Sequence, residues 1–149
     1  MHTLYLKRAG LALALALAAT SVHAADRTVM LPIAVAMDSA DARAKLDESV
    51  KFYFGDQAAP GKQVALGSSH TSQKTNAFGK ADATACNWAF LSSMLQLHRH
   101  AQKVGANAVI NIRSNYNNQE MSSSSQFECH AGAVMAGVAL KADFVKIGQ

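Results

Sequence analysis

The sequence predicts an α+β fold: one long amphipathic helix packed on a small antiparallel sheet, with a short helix near the N-terminus. Three observations carry this. Between Asp82 and Val104, the residues Cys86, Phe90, Met94, Leu97, Ala101 and Val104 recur at spacings of three and four, one apolar stripe on a 3.6-residue period. Several other stretches alternate apolar and polar residues with the period of two that a half-buried strand requires. Finally, 50% of the 149 residues are apolar and only 16% are charged, a balance that supports a packed core and argues against disorder. The length fits a single domain.

The first 24 residues are set apart from that fold. Lys7 and Arg8 precede the apolar run Leu11–Ala19, and Val22-His23-Ala24 supplies the small residues of a cleavage site. This is the three-part pattern of a secretory signal peptide. Nine apolar residues are too few for a transmembrane helix, which needs about 20. The expected mature chain is therefore residues 25–149, periplasmic or secreted, with no stable membrane anchor after cleavage. Removing Lys7 and Arg8 lowers the net charge from +4 to +2. No basic cluster remains to suggest nucleic acid.

Each element of the mature chain has a local signature. Thr28–Met37 is apolar and reads as a strand, with Pro32 marking an edge position. Asp38 and Ser39 offer side-chain oxygens to cap a short helix over Ala40–Leu46. Val50–Phe54 alternates as a half-buried strand, punctuated by Gly55-Asp56 and Ala59-Pro60-Gly61. Gln63–Asn76 begins apolar and continues polar, as a long exposed strand would. In the long helix, Trp88, Leu91 and Leu95 widen the apolar stripe, and Gly105 stands where a left-handed C-cap is needed. Asn107–Tyr116 reads as a strand and Asn117–Ser125 as a mobile polar hairpin loop. Gln126–Ala142 reads as one long strand. Phe127, Cys129 and Ala131 alternate inward there, whereas Val134, Ala136, Val138 and Leu140 follow the opposite parity, so a bulge is expected at Gly132.

An even cysteine count in an exported chain favours a Cys86–Cys129 disulfide. Both cysteines fall on inward-facing positions of their elements, in agreement with a bridge. The alternatives are two buried thiols or a thiolate metal pair.

No reaction is identified by the residues. The lysines that follow glycine, Lys62 and Lys80, lack the remaining positions of a phosphate-binding loop, no GxSxG elbow is present, and the cysteines are not a CxxC pair. Glu120 and Glu128 are not fixed as an acid/base pair, and Ser122–Ser125 reads as solvated loop. No catalytic residue and no cofactor is expected. His70, His98 and His130 are the candidate metal ligands, with the two sulfurs as partners for zinc or copper. His98 and His100 lie about 200° apart on a helix and do not chelate one ion. The exposed aromatics Tyr53 and Tyr116 are ordinary singly but are candidates for a binding surface.

Five stretches carry a resemblance: VKFYFGDQ (50–57), KTNAF (74–78), ACNWAFL (85–91), GANAVINI (105–112) and ECHAGAVMAGVALK (128–141). Together they resemble a group of small exported bacterial proteins of unknown function, often labelled "excinuclease ATPase subunit", although no nucleotide motif is present here. More distantly, the helix ending in GANAV and the cysteine-bearing strand ending in GVAL are similar to YbjQ-like domains, described as heavy-metal binding. They are also similar to the domain of the Rcs envelope stress-sensor lipoprotein. These resemblances imply a helix on a small antiparallel sheet. The chain differs from the stress sensor in having two cysteines and no lipidation cysteine. The expected function is thus a non-enzymatic binding or envelope-stress module. Its contacts with an envelope protein would be made by the 63–76 strand edge or the 115–125 loop. A periplasmic metal-binding or redox protein is the alternative.

Overall fold

The computed structural model describes residues 26–148; the expected signal segment lies outside them. In chain order the elements are β1 (Arg27–Pro32), α1 (Ile33–Met37), α2 (Ala40–Lys45), β2 (Lys51–Phe54), β3 (Gln63–Asn76), α3 (Asp82–Val104), β4 (Ala108–Tyr116), β5 (Gln119–Met121), β6 (Gln126–Ala131) and β7 (Met135–Ile147).

The expected fold class requires correction. The sheet is neither small nor wholly antiparallel. It has seven strands in mixed orientation, and strands hold 45% of the described residues against 28% in helices. β7 is its axis: β3 pairs antiparallel along one edge, while β4 and β6 pair antiparallel with successive parts of β7. Beyond them, β1 pairs antiparallel with β6 and β2 pairs parallel with β4. The parallel pair arises because β3 and α3 lie between β2 and β4 in sequence and carry the chain back to its starting end. Alternation marks a strand but not its direction.

Three local expectations also change. Thr28–Met37 is not one strand. Pro32, which has no N–H, closes the β1–β6 ladder opposite Gln126, and the chain turns into α1, burying Ile33 and Ala36. Asn117–Ser125 is not wholly loop. Asn117 and Asn118 both take positive φ (51° and 60°), the two-residue turn that matches strand twist, and β5 folds back on β4. Gln126–Ala142 is not one bulged strand. The parity change at Gly132 marks a reversal: Gly132 N–H donates to the Met135 carbonyl at 2.8 Å, and β6 and β7 form a hairpin. Val134 therefore sits on the turn, 59% exposed, instead of in the core.

α3 matches its expected bounds. Gly105 ends it in the left-handed conformation (φ 76°), and Cys86, Phe90, Met94, Leu97 and Ala101 are buried against the sheet. Trp88 is the exception, 43% exposed, with the Lys45 ammonium 5.7 Å from its ring centre. Ser39 caps α2 by accepting from the Ala42 N–H at 3.2 Å. The core is completed by β6 and β7 residues of the helix-facing parity and by Phe90 stacked on Phe127, ring centres 4.2 Å apart. Cys86 and Cys129 are disulfide-bonded, tying the first turns of α3 to β6.

Candidate functional site: a polar cavity on the open face of the sheet

Because α3 covers one face of the sheet, the alternate residues of each strand point to the other. On β6, inward Phe127, Cys129 and Ala131 leave Glu128 and His130 outward; on β7, inward Ala136, Val138, Leu140 and Ala142 leave Gly137, Ala139, Lys141 and Asp143 outward. Register places Lys74, Ser72 and His70 of β3 opposite Gly137, Ala139 and Lys141. The open face is thus polar, with a low floor where Gly137 and Ala139 carry almost no side chain.

Over that floor lies a cavity of about 370 Å³. One wall is β3 at His70–Lys74 and another is the β4–β5 turn with Asn115, Tyr116, Asn117 and Asn118; His130 closes it on the β6 side. Parts of the two segments expected to make contacts, residues 70–74 of 63–76 and 115–118 of 115–125, therefore line one depression. Tyr116 and His130 stack with ring centres 3.3 Å apart and planes 10° from parallel. His130 is held further by Glu128, whose Oε1 accepts from the imidazole Nε2–H at 2.6 Å.

The polar groups of this face divide into two sets. Beside the cavity, Glu120 accepts from Arg113 Nε at 2.6 Å and from Lys141 Nζ at 2.5 Å. The Arg113 hydrogen bond, then that of Lys141, holds the Glu120 carboxyl down at about 2. Asp143 accepts from Ser68 Oγ at 2.6 Å and from Asn111 Nδ2 at 3.0 Å. These groups satisfy one another. Inside the cavity, the side chains of His70, Ser72, Lys74, Asn115, Asn117 and Asn118 make no hydrogen bond to another described residue. They border the space above the floor.

The candidate metal ligands do not converge. His70 and His130 line the same cavity. His98 lies beneath, on the helix side of the sheet, 5% exposed, its Nε2 3.1 Å from Asp47 Oδ1. Ser49 hydroxyl and amide hydrogen bonds, with that of His98, lower the Asp47 carboxyl to about 2. Both cysteine sulfurs are committed to the disulfide. Among the described residues, no group of three or more His, Cys, Asp or Glu is placed to hold a metal ion.

Sequence reasoning singled out Tyr116, His70 and His130 separately but missed Lys74 and the asparagine turn. The Asn117-Asn118 pair was the available signal, since asparagine tolerates positive φ better than most residues. A second depression, of about 560 Å³ and largely apolar, lies beside α1 and α2 over Ile33, Met37, Leu46, Phe52 and Phe54. No protein-family model, curated protein or solved structure matches the chain, so the resemblances rest on the sequence stretches quoted above.

Proposed function

We propose that this chain is an exported, non-enzymatic binding module, stapled by its disulfide, that takes a small polar ligand in the cavity over Gly137 and Ala139. One observation carries the reading: the open face is split into a self-satisfied network and a depression in which the side chains of His70, Ser72, Lys74, Asn115, Asn117 and Asn118 have no hydrogen-bond partner among the described residues. Pre-formed depressions with a few convergent polar groups are the usual form of small-molecule sites. The cavity offers amides, a hydroxyl, an ammonium and an imidazole as donors and the Asp26 carboxylate as an acceptor, a set suited to a ligand that carries several oxygen acceptors beside a donor group. Glu128 and the Tyr116 stack fix the His130 ring in place, which favours recognition over motion. Among the described residues no hydroxyl or thiol hydrogen-bonds to the imidazole of His70 or His130, so a nucleophile–base pair has no support. The disulfide and the signal-like leader support export, and the resemblance to envelope stress-sensor domains supports a binding role in the envelope.

The test is a ¹⁵N NMR titration of the oxidised protein with glutamate, citrate, inorganic phosphate, N-acetylglucosamine and zinc. The proposal expects saturable shifts with at least one of the organic or phosphate probes, centred on residues 70–74, 115–118, 130 and 137–139. Ala139→Phe, which fills the floor, is expected to abolish them. No shifts with any probe, shifts centred elsewhere, or shifts with zinc alone would overturn it.

A further inference from the structure

β3 is a sheet edge. Over 14 residues it pairs with β7 on one side and with no described strand on the other. Long, flat, unprotected edges are rare because their unpaired N–H and C=O groups accept another strand. This edge also carries little that repels one: Lys74 is the only formally charged residue in Gln63–Asn76.

The direction of its backbone groups follows from the ladder. Ala77 N–H donates to the Val134 carbonyl at 2.7 Å, in register with the pair Asn76–Met135. In an antiparallel ladder alternate residues bond to the same neighbour, so Thr75, Gln73, Thr71 and Ser69 serve β7. Asn76, Lys74, Ser72, His70 and Ser68 then turn their N–H and C=O to the open side. Lys80 Nζ already reaches the Asn76 carbonyl at 2.9 Å from there, which agrees. Alongside, β3 and α3 leave a cleft of about 350 Å³ between Ser69–Gln73 and the side chains of Gln96 and His100.

We infer that the occupant of this edge is a second copy of the same strand, paired antiparallel about a two-fold axis through Thr71. Self-complementarity is the argument. Val64 lies seven residues before Thr71 and Phe78 seven after it, and they are 55% and 74% exposed. Antiparallel pairing about Thr71 brings the Val64–Leu66 end of one copy to the Phe78 end of the other, covering apolar side chains that the single chain leaves in water. In the same register His70 faces Ser72 of the second copy and Lys74 faces Ser68, so the one charge never meets itself. The Gly67 irregularity (φ 110°) falls between the central paired residues, Ser68–Lys74, and the apolar Val64–Leu66 end. The two open-face cavities would then lie on one continuous sheet. This inference goes beyond the proposed ligand site and stands without it.

The experiment is sedimentation equilibrium of the oxidised protein across micromolar to millimolar concentration. A reversible monomer–dimer equilibrium is expected. Ser72→Pro removes an outward N–H without touching the β7 ladder, so it is expected to leave the far-UV spectrum and thermal midpoint intact and to abolish the dimer. Ser68→Lys sets a like charge opposite Lys74 of the other copy, twice about the axis, and is expected to weaken dimerisation about tenfold. Adding Lys74→Glu to that variant is expected to restore it. A chain monomeric throughout, a folded Ser72→Pro variant that still dimerises, or no rescue by the double substitution would overturn the inference. So would a monomer whose β3 amides shift only on adding a foreign peptide.

Discussion

Removing the Cys86–Cys129 bridge by the double substitution to alanine tests the largest single constraint on the fold. The bond joins residues 43 apart in sequence. Cross-linking a loop of that size removes denatured-state entropy equivalent to about 4 kcal/mol. Both cysteines are fully buried, so losing the sulfurs adds a void worth about 1 kcal/mol. A domain of this size has roughly 5–15 kcal/mol of stability in all, so the variant is expected to fold but sit near the lower limit. Urea unfolding followed by far-UV circular dichroism reads the loss directly. With a slope of about 2 kcal/mol/M, the midpoint falls by about 2.5 M. A fall under about 0.5 M at unchanged slope would refute the reasoning. It would mean that the unfolded chain already holds Cys86 and Cys129 close together, leaving the bond little freedom to remove.

Two further outcomes follow from local geometry. Asp47 and Glu120 are both lowered to about 2, Asp47 chiefly by its hydrogen bonds to Ser49 and Glu120 chiefly by that from Arg113. Their folded-state values lie below those of the unfolded chain, about 4, so their contribution is complete above pH about 4 and is lost as the pH falls toward 2. Asp47→Asn and Glu120→Gln are each expected to reduce stability at pH 6 and to flatten the decline between pH 4 and 2, measured by thermal melts across that range. Gly55 and Gly105 both require positive φ, but a Cβ on Gly55 would stand 2.8 Å from the Ser123 backbone carbon, whereas Gly105 faces open space. Gly105→Ala is expected to cost about 1 kcal/mol and Gly55→Ala at least about twice that; equal losses in chemical denaturation would show that the Ser123 segment gives way freely.

The elements that the sequence announced are those whose signal is local. α3 is readable from Cys86 to Gly105 because a helix writes its buried face into residues three and four apart, and its cap into one glycine. β3 is readable because a strand exposed on so much of its length needs no alternation, only a polar β-forming run between turns. What was not readable depends on distant partners. The break at Pro32 needs Ser125, whose carbonyl accepts from the Ile33 N–H at 2.9 Å. The parity change at Gly132 is the same on paper for a bulge and for a reversal; the space between β1 and β7 decides it. The parallel docking of β2 on β4 has no sequence mark at all. The cavity shows the same division. Cys86 and Cys129 could be paired from their faces, but Tyr116 and His130 meet only because β4 and β6 pair with successive parts of β7, a contact spanning strands that no short-range pattern links.

The pairing of β1 with β6 sets a rule of assembly. Arg27 lies opposite Ala131, more than 100 residues later, with β7 still to come as the axis on which β6, β4 and β3 depend. A chain emerging from its N-terminus can wind α3 early, since helices need only neighbours. It cannot seat its first strand until almost the whole sequence is present, and such non-local pairings are the slow ones in folding. Until β6 is in place, β1 has no partner strand. The β1–β6 and β6–β7 pairings can therefore form only once residues 126–147 are present. C-terminal truncation is accordingly expected to leave no smaller native sheet behind.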